Sequence, residues 1–205
     1  MAKSRKQEVR SEMRRILANL DRRWLSAAAG RLNENLAHLV DSQLGLPVHH
    51  VLAWTSFFTG EADLTPFISD QIEKRTVYLP HTLEDGSMRF VSLGANWSDV
   101  LESGAFGIAE PPVDSGKSYD PANSSTTIVL VPGIAFDKEG SRLGRGKGFY
   151  DRFLGRSSMR NAIKVGICWS MQLLDEVPTE SEDVPVDWIV HERGILKTSL
   201  SYEED

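Results

Sequence analysis

Thr126–Phe153 reads TTIVLVPGIAFDKEGSRLGRGKGFYDRF, and the order of its parts decides the fold. Thr126–Pro132 is β-branched and apolar, the composition of a central strand. FYDRFLGR, from Phe149, begins a helix. Between them Gly140, Gly144, Gly146 and Gly148 are interleaved with Arg142, Arg145 and Lys147. Crowded cations repel and glycines lose backbone entropy on ordering, so the arrangement points to a polyanion outside the chain. In open α/β sheets ligands bind outside the carboxyl ends of the strands. Free N–H groups at a helix start attract anions there, and glycines let a phosphate come close. Arg145 would add a charged fork and Lys147 a point charge. The bland alternative is a flexible surface turn; placement between strand and helix favours the anion site.

Two familiar phosphate loops do not match. A Walker A loop needs Ser or Thr directly after its Gly-Lys pair, where Gly148 stands. The dinucleotide fingerprint fails because Phe149 occupies the position of its last glycine. Asp151 has two readings, a first-turn residue that favours the helix dipole or a Mg²⁺ ligand beside phosphate.

Outward from this stretch, helices alternate with strands. Val9, Met13, Ile16, Leu17 and Leu20 recur with helical period, and Lys6, Arg10 and Arg14 form a basic stripe on another face, by default a solvated one. A second helix is expected from Ser26 as N-cap, turning Leu32, Leu36, Leu39 and Val40 inward until Gly45 and Pro47 end it. Residues 49–57 read as a buried strand, 63–75 as a helix, 76–80 as a strand and 87–93 as an edge strand. A short helix comes next, near Trp97. Residues 109–125, rich in Pro, Ser and Gly, form a surface loop. AIKVGICW and VDWIV give two more strands, the second being the last. With no internal repeat or linker, the whole chain, 1–205, is expected to be a single α/β domain.

The composition fits that expectation. The chain has 205 residues, 40% hydrophobic and 25% charged, the balance of a soluble globular protein. No run approaches the roughly 20 apolar residues that span a bilayer, and the N-terminus lacks the apolar block of a secretory signal; a cytoplasmic, membrane-free protein is expected. Cys168 is the sole cysteine and lies in an apolar run, so a buried thiol is expected. The net charge of −6 argues against a general nucleic-acid surface, whereas cations gathered in two places suit a local anion site. Trp54, Phe57, Phe58 and Trp169 are expected in the core. His49 and His50 show no metal-ligand pattern.

The segment from Val131 to Phe153 resembles the signature of 5-formyltetrahydrofolate cyclo-ligases, through Pro132, Gly133, Phe136, Asp137, Gly140, Arg142, Leu143, Gly144, Gly146, Gly148, Tyr150 and Asp151. Weaker correspondences cover nearly the whole chain. KQEVR resembles the family's N-terminal Lys-x-x-Leu-Arg element, Glu61 sits where the family has a substrate-binding glutamate, and AEPP at Ala109–Pro112, Gln172, Pro178 and Glu182–Asp187 come in the family's order.

The resemblance implies a three-layer α/β/α domain with a mostly parallel sheet, similar to phosphosugar isomerases and coenzyme A transferases. It implies ATP as co-substrate, Mg²⁺ as cofactor and 5-formyltetrahydrofolate as substrate, with 5,10-methenyltetrahydrofolate, ADP and phosphate as products of a monomer. It assigns Lys6, Arg10, Arg142, Leu143, Gly144, Arg145, Gly146, Lys147, Gly148, Phe149 and Tyr150 to ATP, with Arg145 and Lys147 catalytic. Ser56, Glu61 and residues 145–149 would take the folate, and Asp151 and Asp183 the metal. Glu61 and Asp183 also have bland readings, as a residue favouring a helix start and as one loop carboxylate among several. The chain departs from the family's habit at Ser56, Thr126, Thr127, Phe149, Glu182 and His191. The changes at Ser56 and Phe149 motivate a second reading, a relative that binds ATP or folate without turnover. A third, a phosphosugar isomerase or acyl-transfer enzyme, lacks a marked base or nucleophile motif.

Overall fold

A computed structural model describes residues 2–104, 107–122 and 126–199. The loop expected over 109–125 therefore ends, at 123–125, outside the described residues, and so do both ends of the expected 1–205 domain. In chain order the elements are α1 (Ala2–Ala18), α2 (Arg22–His38), β1 (His50–Leu52), α3 (Thr65–Ile72), β2 (Thr76–Thr82), β3 (Met88–Ser92), β4 (Glu102–Ser103), β5 (Ala109–Glu110), β6 (Thr127–Pro132), β7 (Ala135–Phe136), β8 (Arg142–Leu143), α4 (Phe149–Leu154), β9 (Ile163–Ile167), β10 (Trp188–His191) and β11 (Gly194–Lys197).

Seven strands form the main sheet in the order β11-β10-β9-β6-β1-β2-β3. The five inner strands are parallel, and β3 and β11 run antiparallel at the two edges. The fold is thus α/β with a mostly parallel sheet, as expected. β6 lies at the centre, with every residue from Thr127 to Val131 buried. Its side chains alternate between two cores, as the period-2 pleat requires. Ile128 and Leu130 join the core made with Met13, Leu17, Leu32, Leu36, Phe67 and Ile68 of α1, α2 and α3. Val129 and Val131 face Phe90, Phe153, Leu154 and Met159 on the opposite side. That second layer is thin, since α4 has six residues.

Several expected boundaries shift. α2 starts four residues before Ser26, because the Asp21 carboxylate accepts hydrogen bonds from the N–H groups of Arg23 and Trp24 at 2.9 and 3.0 Å and so supplies the cap. The inward residues are as expected: Leu32 and Leu36 of α2, and Leu39 in the π-helical turn Leu39–Gln43 that continues it, are fully buried and Val40 nearly so. The strand expected over 49–57 shrinks to His50–Leu52, because the N–H groups of Phe57 and Phe58 turn to Glu61 instead of a neighbouring strand. β11 was not anticipated. It returns from Gly194 (φ +155°) against β10, in register from His191↔Gly194 to Trp188↔Lys197. Trp54 and Trp169 are core residues, but Phe57 and Phe58 are 46% and 39% exposed, which corrects the core expectation for that pair.

The chain just beyond β6 positions the site. A Cβ on Gly133 would stand 2.5 Å from the Phe136 ring, and one on Gly166 2.6 Å. Only glycine at both positions lets that fully buried ring sit there. Phe136 thereby seats the β7–β8 hairpin over the end of β6. Its turn is fixed by buried Asp137, whose carboxylate accepts from Ser141 N and Val177 N, each at 2.9 Å. The glycine stretch leaves β8 from this rigid base.

Candidate active site

A narrow crevice lies where β1, β6 and β9 end, lined by Trp54, Glu61, Pro132, Gly133, Arg145 and Cys168 among others. This is the carboxyl edge of the parallel strands, where such sheets carry ligands. Its free volume is about 10 Å³, room for no more than about one water. Any substrate ring must therefore lie across its mouth or displace the side chains that close it. A larger cavity of about 450 Å³ lies beside β3 and α4 on the second face, bordered by Leu83, Phe90, Tyr119, Phe153 and Arg156. Arg152 links its rim to the glycine loop, donating to Lys147 O at 2.9 Å and to Gly86 O at 3.1 Å.

The basic stripe of α1 is solvated only in part: Lys6 is buried, Arg10 partly buried and Arg14 exposed. Lys6 is 4% exposed and its ammonium lies 2.6 Å from Asp183 and 3.1 Å from Glu180. Burial alone would lower its pKa and is the largest single influence. The hydrogen bonds and charges of Asp183 and Glu180 together outweigh it and hold the pKa above the ordinary lysine value. One turn on, Arg10 Nε donates to Gly144 O at 2.9 Å. Arg14 approaches Arg145 O at 3.5 Å. The i, i+4 spacing thus sets Arg10 and Arg14 on the glycine loop and Lys6 against the Asp183 loop.

Arg142, on β8, is almost wholly buried. Its guanidinium donates to Pro132 O at 3.2 Å and to Asp151 Oδ1 at 2.5 Å, so Asp151 is an ion-pair partner rather than only a first-turn residue. Asp151 Oδ1 also accepts from Val184 N at 3.4 Å, which brings α4 beside the Asp183 loop. Leu143 points into a small cluster with Ala135 and Val177, leaving only its backbone to the loop. Gly146 (φ +101°) and Gly148 (φ +67°) adopt left-handed conformations that side-chain-bearing residues rarely reach. Because α4 is short, its dipole adds little, and attraction for an anion falls to the loop and its cations. Phe149 packs against the second core, and Lys147 is exposed.

Tyr150 is partly buried, but its hydroxyl is fully so and has no hydrogen-bond partner among the described residues. Burial, chiefly, pushes its pKa up against the charge of Arg142. Cys168 is likewise buried and its thiol pKa raised mainly by desolvation, which makes it inert at neutral pH.

Arg145 and Glu61 meet across the crevice. Arg145 donates from Nη2 and Nε to Glu61 Oε1 at 2.7 and 3.2 Å. The other oxygen of Glu61 accepts from Phe57 N and Phe58 N, both at 3.0 Å. Ser56 is exposed on the same turn. Glu180 was not singled out in the sequence, and Phe58, which lies against Arg145, was expected only as a core residue. Glu180 stood within a run of loop acids, and the aromatic type of Phe58 pointed to the core rather than to Arg145.

Among the described residues no group of three or more His, Cys, Asp or Glu side chains is placed to hold a metal. Asp151 and Asp183 each engage one carboxylate oxygen, Oδ1 and Oδ2 respectively, and each has a second oxygen without a hydrogen-bond partner among the described residues. A hard cation that takes one or two carboxylates and completes its shell with phosphate and water fits that donor set.

Fold and site together define an α/β protein that carries its polar machinery on loops at the carboxyl edge of a parallel sheet. The chain belongs to the 5-formyltetrahydrofolate cyclo-ligase family, whose model matches residues 2–192. It is 30% identical over 188 residues to a 5-formyltetrahydrofolate cyclo-ligase of Haemophilus influenzae, covering 91% of this chain and 97% of that one. The solution structure of a 5,10-methenyltetrahydrofolate synthetase from Aquifex aeolicus superposes with a TM-score of 0.79 at 30% identity, over 98% of this chain and 95% of that one. A 5,10-methenyltetrahydrofolate synthetase from Mycoplasma pneumoniae shares the fold, with a TM-score of 0.70 at 21% identity over 91% of this chain and 98% of that one.

Proposed function

We propose that this protein is a 5-formyltetrahydrofolate cyclo-ligase that uses ATP and Mg²⁺. The formyl oxygen attacks the terminal phosphorus of ATP and ADP leaves. The nitrogen at position 10 then attacks the activated formyl carbon, the ring closes and phosphate departs. The products are 5,10-methenyltetrahydrofolate, ADP and phosphate. No nucleophile on the protein is needed.

The observation that carries this reading is a set of three ion pairs. Three of the cations expected to bind phosphate face a carboxylate expected to bind metal or folate: Lys6 with Asp183, Arg142 with Asp151, and Arg145 with Glu61. Residues from distant parts of the chain meet at one edge of the sheet, these three cations already held near a negative charge. On MgATP binding the phosphates take over the cations. Lys6 and Arg10 approach the phosphate tail from α1, and the N–H groups and glycines of residues 142–150 wrap it. Arg145 and Lys147 neutralise the charge that builds on the transferring phosphoryl group. Asp151 and Asp183 hold Mg²⁺, which supplies charge neutralisation at the phosphate oxygens. Glu61, released from Arg145, orients the folate, with Ser56 on the same turn and residues 145–149 opposite. Juxtaposing the formyl oxygen and the terminal phosphate removes much of the barrier. The test is turnover of 5-formyltetrahydrofolate with MgATP, read by the near-ultraviolet absorbance of the methenyl product, and its loss in Arg145→Ala.

A further inference from the structure

We propose that Phe58 is a positioning residue for Arg145, holding its guanidinium in aim when Glu61 changes partner; the role rests on the cyclo-ligase reading. Phe58 is a large aromatic residue left 39% exposed. The guanidinium carbon of Arg145 lies 3.5 Å from the centre of its ring. A guanidinium over a ring face is attracted by the ring's quadrupole and is restrained without spending an N–H. Arg145 is thus gripped at its edge by Glu61 and on its face by Phe58, while Nη1 has no hydrogen-bond partner among the described residues.

The same carboxylate fixes the ring. Glu61 Oε2 accepts from Phe58 N, and Phe57 meets Phe58 edge-on at 5.0 Å between ring centroids. Ring, carboxylate and guanidinium form one unit. When folate takes Glu61 Oε1, the edge contact with Arg145 is lost, while Oε2 keeps Phe58 N and the face contact remains. Without it, a long flexible side chain beside Arg10, Arg14 and Lys147 would be pushed off its position by like charge. With it, Arg145 keeps its orientation and its freed N–H groups become available to the phosphoryl oxygens.

The contact predicts a split that packing alone does not. In Phe58→Leu, which keeps apolar bulk, kcat falls about twofold to thirtyfold, the range of a cation–π contact, while KM for folate stays within about twofold. Phe58→Trp and Phe58→Tyr, which keep a π face, restore kcat to within about threefold of wild type. The Arg145 Hε resonance, shifted upfield by the ring in the wild type, moves to the ordinary arginine range in Phe58→Leu and stays upfield in Phe58→Trp. Wild-type kcat in Phe58→Leu, or equal losses in the leucine and aromatic variants, overturns the inference. Absence of turnover in the wild type overturns the cyclo-ligase reading alone; the resonance still decides the contact, an unshifted Hε overturning it.

Discussion

Lys6 of the first helix and Asp183 of the loop before β10 lie 2.6 Å apart although 177 positions separate them. The bond ties the amino-terminal helix to the far side of the glycine loop. Glu180 completes the arrangement at 3.1 Å, and Asp183 also accepts from Glu180 N at 2.8 Å.

Replacing Lys6 by Met should cost about 1–3 kcal/mol, because partly buried carboxylates lose their partner, and should raise KM for ATP. The pH dependence carries a sign. Lys6 titrates higher folded than unfolded, so its stabilisation is complete below the ordinary lysine value of about 10.4 and is lost as pH rises through the folded one. Melting temperatures of wild type and variant should differ at neutral pH and converge in alkali. A constant difference up to the alkaline limit of folding would remove the ion pair as the cause.

Asp151→Asn is not a clean test of metal binding. It leaves the Arg142 guanidinium, almost wholly buried, without its anionic partner, a loss of about 3–5 kcal/mol when the pair is deeply buried and less here, since Asp151 is partly exposed. Thermal unfolding should show this variant markedly less stable and Arg145→Ala only slightly so. Equal melting temperatures would mean that the Arg142–Asp151 pair contributes little.

Tyr150→Phe should stabilise the protein or leave it unchanged. The substitution removes a buried hydroxyl that has no hydrogen-bond partner among the described residues, a group whose desolvation costs about 1–3 kcal/mol. If that hydroxyl serves ATP, KM for ATP rises while the melting temperature does not fall. A lower melting temperature would show that the hydroxyl already has a stabilising partner.

Gly146→Ala meets no steric obstacle, since the nearest atom to an added Cβ is the Arg10 guanidinium carbon at 3.6 Å. The backbone at φ +101° is another matter, and strain of about 1–3 kcal/mol is expected. A loop that relaxes to escape it loses its shape for phosphate. Calorimetry should show ATP affinity reduced about tenfold, with a modest change in melting temperature; unchanged affinity would argue that ATP does not use this loop.

Much of the fold was legible because burial is written in local pattern. The apolar run Ile128–Val131 announced the central strand, and Leu32 and Leu36 announced the inner face of α2. Boundaries were less legible where one polar atom decides them, as Asp21 does for α2 and Glu61 does at the end of β1. The edge strand β11 has a burial pattern without core positions, so no alternation marked it. Spacing alone placed a cationic loop near the strand ends. It did not show that Lys6 would be buried or that Arg142, Arg145 and Lys6 would each face a carboxylate, because those pairs join segments that only folding brings together. Phe57 and Phe58 looked like core residues by type and emerged exposed because Glu61 holds their turn outward.

The central claim is that these paired charges serve phosphoryl transfer to a formyl oxygen. Its most direct test monitors absorbance of the methenyl product when the wild-type protein meets 5-formyltetrahydrofolate and MgATP, alongside Arg145→Ala. The account predicts one ADP and one phosphate per product formed, no product without ATP or Mg²⁺, and a rate about 10²–10³-fold lower in the variant. A well-folded wild type that binds both substrates yet forms no methenyl product would contradict it.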